Sequence, residues 1–313
     1  MTSTSPVCRS NEVPVFFQAG EEMLFGIFTE PFDARGIAVI HARGGGQVPS
    51  CGRNGTTARL CRRLAGDGYH TLRFDYRGVG ESTGSVTTFR HDQPFVSDLE
   101  GGVAWLRARG IERFVVIGQC FGARTALAGG WFPGLEGLVL LSTPVRDSAK
   151  EGDNTRALVR HHRLSRYFLR AFRPRILRDL RSRSGREQFV RAARAVLRAS
   201  PVPRGATTGP AWVSAAFLEQ VECLIGSGIP ILFASGRADT TFPDFQAALV
   251  GRLGRLLEEG GTRVTITTLD GQLSACADAD LQGTAIETIA TWVSAEVQRR
   301  RGPLAEHPRA GSR

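Results

Sequence analysis

The chain has 313 residues, of which 42% are hydrophobic and 22% charged, and its formal net charge is +10. This length and hydrophobic content are sufficient for a large buried core, so they exclude a fibrous or wholly disordered protein. No apolar run approaches the roughly 20 residues that cross a bilayer, and the N-terminal residues lack the features of a secretion signal. We therefore expect a cytoplasmic protein that does not associate with a membrane.

Predicted strands and helices alternate along two parts of the chain, 13–147 and 213–298. The predicted strands cover residues 13–17, 23–28, 69–76, 113–118, 137–141, 229–234 and 263–269, with a further strand within 36–46. The predicted helices cover residues 57–64, 95–108, 123–128, 215–225, 245–257 and 281–298. This alternation is typical of right-handed crossovers. It predicts an α/β core with a mostly parallel, twisted sheet flanked by helices.

An arginine-rich segment separates the two parts of this core. Residues 151–204 contain fifteen arginines and only four acidic residues, so this segment accounts for the positive net charge and the rest of the chain is close to neutral. Helix-forming stretches and a Pro- and Gly-rich end at 201–210 predict a helical lid over residues 150–210, inserted between two strands. The end segments, 1–12 and 302–313, are predicted to be flexible tails.

Cys120 lies between two glycines at the junction of a predicted strand and a predicted helix. The sequence G-Q-C-F-G at 118–122 follows the apolar run 113–117. The turn from strand to helix is so tight that a side chain two residues before or after Cys120 would collide with neighbouring backbone. The spacing therefore predicts a nucleophile elbow that carries cysteine. The N–H groups at the start of the helix are expected to favour a thiolate and a developing oxyanion.

Two further motifs precede the elbow. Residues 36–46 form an apolar run that ends in three consecutive glycines, which suits a loop that surrounds an anion with backbone N–H groups. Residues 71–82 form a strand that ends in the pattern D-x-R-G-x-G-x-S. Together with the elbow, these motifs resemble those of the α/β-hydrolase superfamily, over residues 13–147 and 213–298. The resemblance implies the α/β-hydrolase fold and a site with a nucleophile, an acid, a base and an oxyanion hole.

The resemblance identifies Cys120 as the nucleophile and indicates the acid. Asp239 lies in a G-x-x-D turn after the predicted strand 229–234, where the superfamily supplies the carboxylate. Asp147, after the preceding strand, is an alternative because some members use that position. A structural role, as a turn residue for Asp239 or a hinge residue for Asp147, also fits the sequence.

The oxyanion hole follows from the same resemblance. Its donors would be the backbone N–H groups of Phe121 and Arg43. His41 occupies the position of a histidine that precedes the glycine loop in the superfamily. There it would either orient the loop or act as an accessory catalytic group.

The histidine base is missing from its usual place. In the superfamily it follows the last strand, but residues 268–278 of this chain contain no histidine. Gln272 or Ser274 occupies the expected position, and neither side chain takes up a proton at neutral pH. His91, in the loop after the D-x-R-G-x-G-x-S pattern, could instead reach the site, as could the histidine pair 161–162 in the lid.

These features predict an acyl-processing enzyme. A thiol can be acylated by a thioester without a strong base, whereas hydrolysis of the acyl-enzyme requires one, so transfer or cyclisation is favoured over rapid hydrolysis. The chain resembles dienelactone-hydrolase-like proteins with a cysteine elbow and the cysteine-dependent cyclases of polyketide pathways, which implies specialised metabolism. Two alternatives are an elimination or rearrangement enzyme without a covalent step and an inactive binding protein on the same fold.

The lid arginines predict an anionic partner that carries the small-molecule acyl substrate. Arg173, Arg175 and Arg178 could bind CoA or an acyl carrier protein, because arginine makes bidentate contacts with phosphate. Nucleic acid is not expected, since no recognised binding module accompanies the arginines. The six cysteines form no C-x-x-C pair, so neither a metal nor another cofactor is expected.

Overall fold

The structure is a computed structural model that describes residues 10–46, 48–86, 88–147, 210 and 212–301. The described residues form eight strands of one sheet: β1 (Ser10–Ala19), β2 (Glu22–Pro31), β3 (Ile37–Ala42), β4 (His70–Phe74), β5 (Arg113–Gln119), β6 (Leu135–Leu141), β7 (Ile231–Gly236) and β8 (Val264–Leu269). Their order is β1-β2-β4-β3-β5-β6-β7-β8. β2 pairs antiparallel with β1 and β4, and all other neighbours pair in parallel. The prediction of a mostly parallel sheet is confirmed.

Helices pack on both faces of this sheet. Those of the described residues are α1 (Thr56–Gly66), α2 (Val96–Arg107), α3 (Phe121–Gly129), α4 (Ala215–Gly226), α5 (Phe242–Leu249), α6 (Arg252–Gly260) and α7 (Ala279–Arg301). Successive strand residues face opposite cores. Ile40 of β3 belongs to the core that includes residues of α2 and α3, whereas Val39 belongs to the core that includes residues of α1 and α7. All six residues of β3 are buried, as expected for a central strand covered on both faces.

The carboxyl ends of the parallel strands meet at one edge of the sheet. The backbone pairing continues past the strand ends there, because the N–H of Cys120 donates to the carbonyl oxygen of Leu141, at 2.8 Å. The N–H of Ser142 donates to the carbonyl oxygen of Ala234, also at 2.8 Å. The residues that follow β5, β6 and β7 are therefore neighbours, and this edge is where open α/β sheets hold their ligands.

One predicted helix, 245–257, is two helices in the structure. α5 and α6 are separated by Val250, which is 88% exposed, and by Gly251, whose φ of −113° and ψ of −144° are not helical. Ala248 and Leu253 on either side of the break are both buried. Because the helical spacing of apolar residues continues across the break, the sequence pattern predicted a single helix.

The first strand includes three residues that the sequence patterns assigned to a flexible N-terminal tail. Residues 10–12 begin β1, where Ser10 pairs with Pro31 and Glu12 with Thr29 of β2. The Glu12 carboxylate also binds Arg62 of α1 and Arg73 of β4, which anchors this end of the strand. The earlier residues and the segment 302–313 lie outside the described part of the chain.

The predicted lid over 150–210 also lies outside the described residues, apart from residue 210. This applies to the histidine pair 161–162 and to Arg173, Arg175 and Arg178. Among the helices that the structure does describe, none has the length and apolar character needed to cross a bilayer.

Candidate active site

Cys120 follows β5 in a strained turn. Its φ of 51° and ψ of −111° lie in a region that residues other than glycine seldom adopt, as a direct turn from strand to helix requires. α3 begins at Phe121, and the N–H groups of Ala123 and Arg124 donate to the carbonyl oxygen of Cys120. Cys120 therefore occupies the N-terminus of α3.

Close backbone approaches explain the glycines on either side of Cys120. A Cβ atom on Gly118 would lie 2.5 Å from the carbonyl oxygen of Gly122, and one on Gly122 would overlap the carbonyl oxygen of Ala42. The second contact holds the end of β3 against the start of α3. As a result the glycine loop borders the nucleophile elbow, since a Cβ atom on Gly44 would lie 3.8 Å from the Cβ of Cys120.

The Cys120 residue is half-buried, and its thiol has a raised pKa. Burial is the main cause, the nearby Asp239 carboxylate adds to the rise, and a hydrogen bond from the Phe121 N–H acts in the opposite direction. The expectation that the helix N-terminus favours a thiolate is therefore wrong, because the effect of burial on the pKa is larger than that of the Phe121 N–H. The pKa of the Cys120 thiol is therefore higher than that of a free cysteine.

The Asp239 carboxylate lies in the G-x-x-D turn after β7 and is buried. Its Oδ2 accepts hydrogen bonds from the Ser142 hydroxyl at 2.6 Å and from the Gly236 N–H at 2.8 Å. Its Oδ1 accepts one from the backbone N–H of Ser274 at 2.8 Å. These are its donors among the described residues, and none of them is a histidine. The structure thus brings the Asp239 carboxylate and the backbone of Ser274 into contact.

Gln272, the other residue at the expected base position, has a different environment. Its side chain is exposed and lines a surface pocket together with Asp270, Asp278 and Asp280. Cys120 does not line that pocket. Ser274 is therefore the residue of this loop that lies beside the candidate acid.

His41 is buried and electrically neutral. Burial lowers the pKa of its imidazole to about 4, and the cationic side chains of Arg73 and Arg43 act in the same direction. An imidazole with this pKa does not take up a proton at neutral pH. Its position in β3, three residues before Gly44 of the glycine loop, suits the orienting role better than the accessory catalytic role.

His91 and Asp147 lie around the buried side chain of Arg124. The Nη2 atom of Arg124 donates to Asp147 at 2.8 Å and to the hydroxyl of Ser214 at 3.2 Å. His91 hydrogen-bonds to the backbone of Arg146, and burial together with the charge of Arg124 lowers its pKa. Neither His91 nor Asp147 hydrogen-bonds to Asp239, so the structure does not join them to the Cys120 and Asp239 arrangement.

The sequence patterns did not indicate two further side chains at this edge. Ser142 is fully buried with a φ of 49°, and its hydroxyl donates to Asp239. The guanidinium of Arg43 is also buried, and it donates to carbonyl oxygens of the glycine loop. The sequence could have indicated Ser142 only by its position, because Ser142 follows the strand that lies between the strands preceding Cys120 and Asp239.

The raised pKa of Cys120 leads to a testable order of thiol reactivity. At pH 7, limiting iodoacetamide is expected to modify the exposed Cys223 before Cys120. Alkylation of Cys120 should accelerate by about tenfold per pH unit and continue to rise above about pH 8.5, because only the thiolate reacts. Peptide mapping by mass spectrometry measures both rates, and a plateau for Cys120 below pH 8 would contradict the raised pKa.

Residues 39–271 match the model of the Alpha/beta hydrolase family. Among solved structures, the esterase Pf2001 of Pyrococcus furiosus is 18% identical with a TM-score of 0.59, and the match covers 93% of both chains. The proline iminopeptidase of Mycobacterium smegmatis is 17% identical with a TM-score of 0.57, over 92% of this chain and 100% of that one. An esterase domain from Rhodothermus marinus is 16% identical with a TM-score of 0.53, over 91% of this chain and 98% of that one.

A search of curated proteins gave no match. Because the family model spans most of the chain and the sheet has the expected topology, the protein belongs to the alpha/beta hydrolase family and has its fold.

Proposed function

We propose that the protein is an acyl-processing enzyme in which Cys120 accepts an acyl group from a thioester or an activated ester. The observation that carries this proposal is the position of Cys120 at the N-terminus of α3, directly before the Phe121 N–H and bordered by the glycine loop. Backbone N–H groups in such a position stabilise the oxyanion of acyl transfer. Membership of the alpha/beta hydrolase family supports hydrolase chemistry in general.

The acylation step proceeds without an external base. The thiol of Cys120 first loses its proton to solvent, and the thiolate attacks the carbonyl carbon of the thioester. The bond from that carbon to the leaving sulfur then breaks, and the leaving thiolate takes up a proton from solvent. The Phe121 N–H, at the start of α3, donates to the carbonyl oxygen as negative charge develops there. Because burial raises the pKa of Cys120, this step accelerates as the pH rises.

We expect the acyl group to leave Cys120 by reaction with a nucleophile of the substrate itself instead of with water. Water requires a general base, and the groups that surround Asp239 are two backbone N–H groups and the Ser142 hydroxyl. Attack by a hydroxyl, amine or enol carbon of the acyl chain forms a cyclic product, and the proton of that nucleophile returns to the sulfur of Cys120. Cyclisation or transfer in specialised metabolism, such as polyketide biosynthesis, is the proposed outcome, with hydrolysis as a slow side reaction.

A second candidate function involves no covalent step. The raised pKa of Cys120 and the three hydrogen bonds that Asp239 already accepts both favour it. The protein would then catalyse an elimination or rearrangement by positioning and hydrogen bonding, or bind a ligand without reaction. Its Cys120 would carry no acyl group at any stage.

We further propose that the acyl group arrives on an anionic carrier, CoA or an acyl carrier protein. The support is compositional, because fifteen arginines and four acidic residues occur within 151–204. Arg173, Arg175 and Arg178 are the proposed contacts for its phosphate or carboxylate groups.

Intact-protein mass spectrometry after incubation with acyl thioesters at about pH 8 tests the covalent step. The wild-type protein is expected to gain one acyl group, and the Cys120→Ala variant none. The matched control is Cys223→Ala, which removes an exposed thiol and should acylate as the wild type does. Absence of an adduct on wild-type protein that still binds the acyl compound would favour the second candidate.

Acylation of Cys120 by two different thioesters tests whether an anionic carrier is recognised. A CoA thioester is expected to acylate Cys120 faster than a neutral N-acetylcysteamine thioester of the same acyl group at low ionic strength. This advantage should shrink as salt is raised towards about 1 M, where charges are screened beyond about 3 Å. A rate ratio that is independent of salt would contradict electrostatic recognition of the carrier.

A further inference from the structure

The side chain of Arg43 lies directly behind the glycine loop. Arg43 follows β3 and is only 3% exposed. Its Nη1 donates to the carbonyl oxygen of Gly44 at 3.1 Å, and its Nη2 donates to that of Gly46 at 2.7 Å. One guanidinium group therefore binds two carbonyl groups of the loop that borders Cys120.

A buried guanidinium requires compensating negative groups. The Nε atom of Arg43 lies 3.9 Å from Oδ1 of Asp75, and its guanidinium carbon lies 5.5 Å from the ring centre of Tyr76. Asp75 is itself buried, and the D-x-R-G-x-G-x-S turn holds it in place, since the Ser82 hydroxyl donates to its carbonyl oxygen at 2.8 Å. A Cβ atom on Gly80 would overlap the Asp75 carboxylate. The second sequence motif thus supplies the counter-ion of Arg43.

The contacts of Arg43 determine which way the loop's peptide groups point. In a planar trans peptide the N–H points opposite to the C=O. Since the Gly44 carbonyl faces the Arg43 guanidinium, the N–H of Gly45 in the same peptide unit points away from it. The loop has little room to relax, because a Cβ atom on Gly45 would lie 2.8 Å from the Cβ of Phe89 and 3.2 Å from that of Phe121.

We infer that the Arg43 side chain is a positioning residue for acyl transfer, which holds the glycine loop with its N–H groups turned to the carbonyl oxygen of an acyl group on Cys120. This role is separate from that of the Arg43 backbone N–H, and it rests on the proposed function of Cys120. Arg43 acts through the loop, and its guanidinium does not touch the reacting atoms. Loss of the side chain therefore affects steps that form an oxyanion more than steps that do not.

Two reactions of the same thiol separate these effects. Acylation of Cys120 by a thioester passes through an oxyanion, whereas alkylation by iodoacetamide displaces iodide without addition to a carbonyl. Arg43→Met is expected to lower the acylation rate constant by about 10- to 100-fold, somewhat less than the loss of a direct oxyanion donor. The alkylation rate constant of Cys120, followed by peptide mapping, should stay within about twofold of the wild-type value.

Arg73→Met is the matched control. Arg73 is also a buried arginine near the end of a neighbouring strand, but its guanidinium binds Glu12 at 3.1 Å instead of the glycine loop. Its ratio of acylation to alkylation should equal that of the wild type. Arg43→Lys, which keeps the charge beside Asp75 but loses the two-armed contact, should lower the ratio less than Arg43→Met, and it provides the test if Arg43→Met does not fold.

Each outcome has a distinct meaning. A selective fall in acylation for the Arg43 variants supports the inference. If the Arg43 variants lose acylation and alkylation equally, or lose neither, the ratio of the two rate constants is unchanged and the inference is overturned. The proposed function still stands in that case, provided that the wild-type protein is acylated. No acylation of the wild type overturns both the proposed function and the positioning role.

Discussion

Replacing Ser274 by histidine is expected to raise the hydrolysis of a nitrophenyl ester by about 10- to 100-fold, the low end of general-base effects. The backbone N–H of Ser274 already donates to Oδ1 of Asp239, so a side chain at this position starts beside a buried carboxylate. The new imidazole would take a proton from the water that attacks acyl-Cys120, and Asp239 would stabilise the resulting imidazolium. The gain should appear as the pH rises through about 6.5, the ordinary pKa of histidine.

Two variants make the result specific. Gln272→His introduces the same side chain two residues away, but the Gln272 side chain is exposed in a pocket that Cys120 does not line, so no gain is expected. Asp239→Asn in the Ser274→His background should abolish the gain, because the imidazolium loses its partner. Equal gains for both histidine variants would show that Ser274 is not the base position. High hydrolysis by the unmodified protein would reveal a base already present.

The sequence patterns predicted the sheet and the elbow well because both depend on local rules. Alternating strands and helices imply parallel pairing, and two glycines around Cys120 imply a turn without room for side chains. The structure shows this exclusion directly, as a Cβ atom on Gly118 would lie 2.5 Å from the carbonyl oxygen of Gly122. The catalytic roles of Cys120 and Asp239 are functional predictions that the acylation and hydrolysis experiments test.

The contacts that complete the candidate site are less predictable because they join distant residues. Ser142 and Asp239 are separated by 97 positions, and the Ser142 hydroxyl reaches the carboxylate only because β6 and β7 are adjacent in the sheet. Sequence spacing gives no signal for such a pair. The positive φ of Ser142 also has no signature in the sequence, since the residue is not glycine.

The ionisation of Cys120 was predicted wrongly for a related reason. The position at a helix N-terminus follows from sequence, and it lowers a thiol pKa. Burial depends on how the loops pack over the elbow, and here its effect is larger and of opposite sign. The local motif indicates the group and its hydrogen-bond donor, whereas the tertiary environment determines the charge that the group carries at a given pH.

Gly122→Ala is expected to remove acylation of Cys120 and to lower the free energy of unfolding by about 3 kcal/mol, the upper part of the usual range for overpacking. The added Cβ would overlap the carbonyl oxygens of Ala42 and Arg43, which are backbone atoms that cannot move aside as a flexible side chain can. Relief of the overlap requires separation of α3 from the end of β3. That movement would also displace the glycine loop from Cys120.

Gly283→Ala is the matched control for this substitution, because it is also a glycine in a helix but has no atom within 4 Å of an added Cβ. It should leave acylation unchanged and raise the free energy of unfolding by about 0.5–1 kcal/mol, the ordinary gain of alanine over glycine in a helix. Chemical denaturation measures the stability of both variants, and intact-protein mass spectrometry measures acylation at a temperature where both are folded. A folded Gly122→Ala protein with wild-type acylation would contradict the view that contact between α3 and β3 sets the geometry of the site. Loss of acylation in the folded variant would instead locate the defect in the oxyanion donors, because this contact holds them beside Cys120.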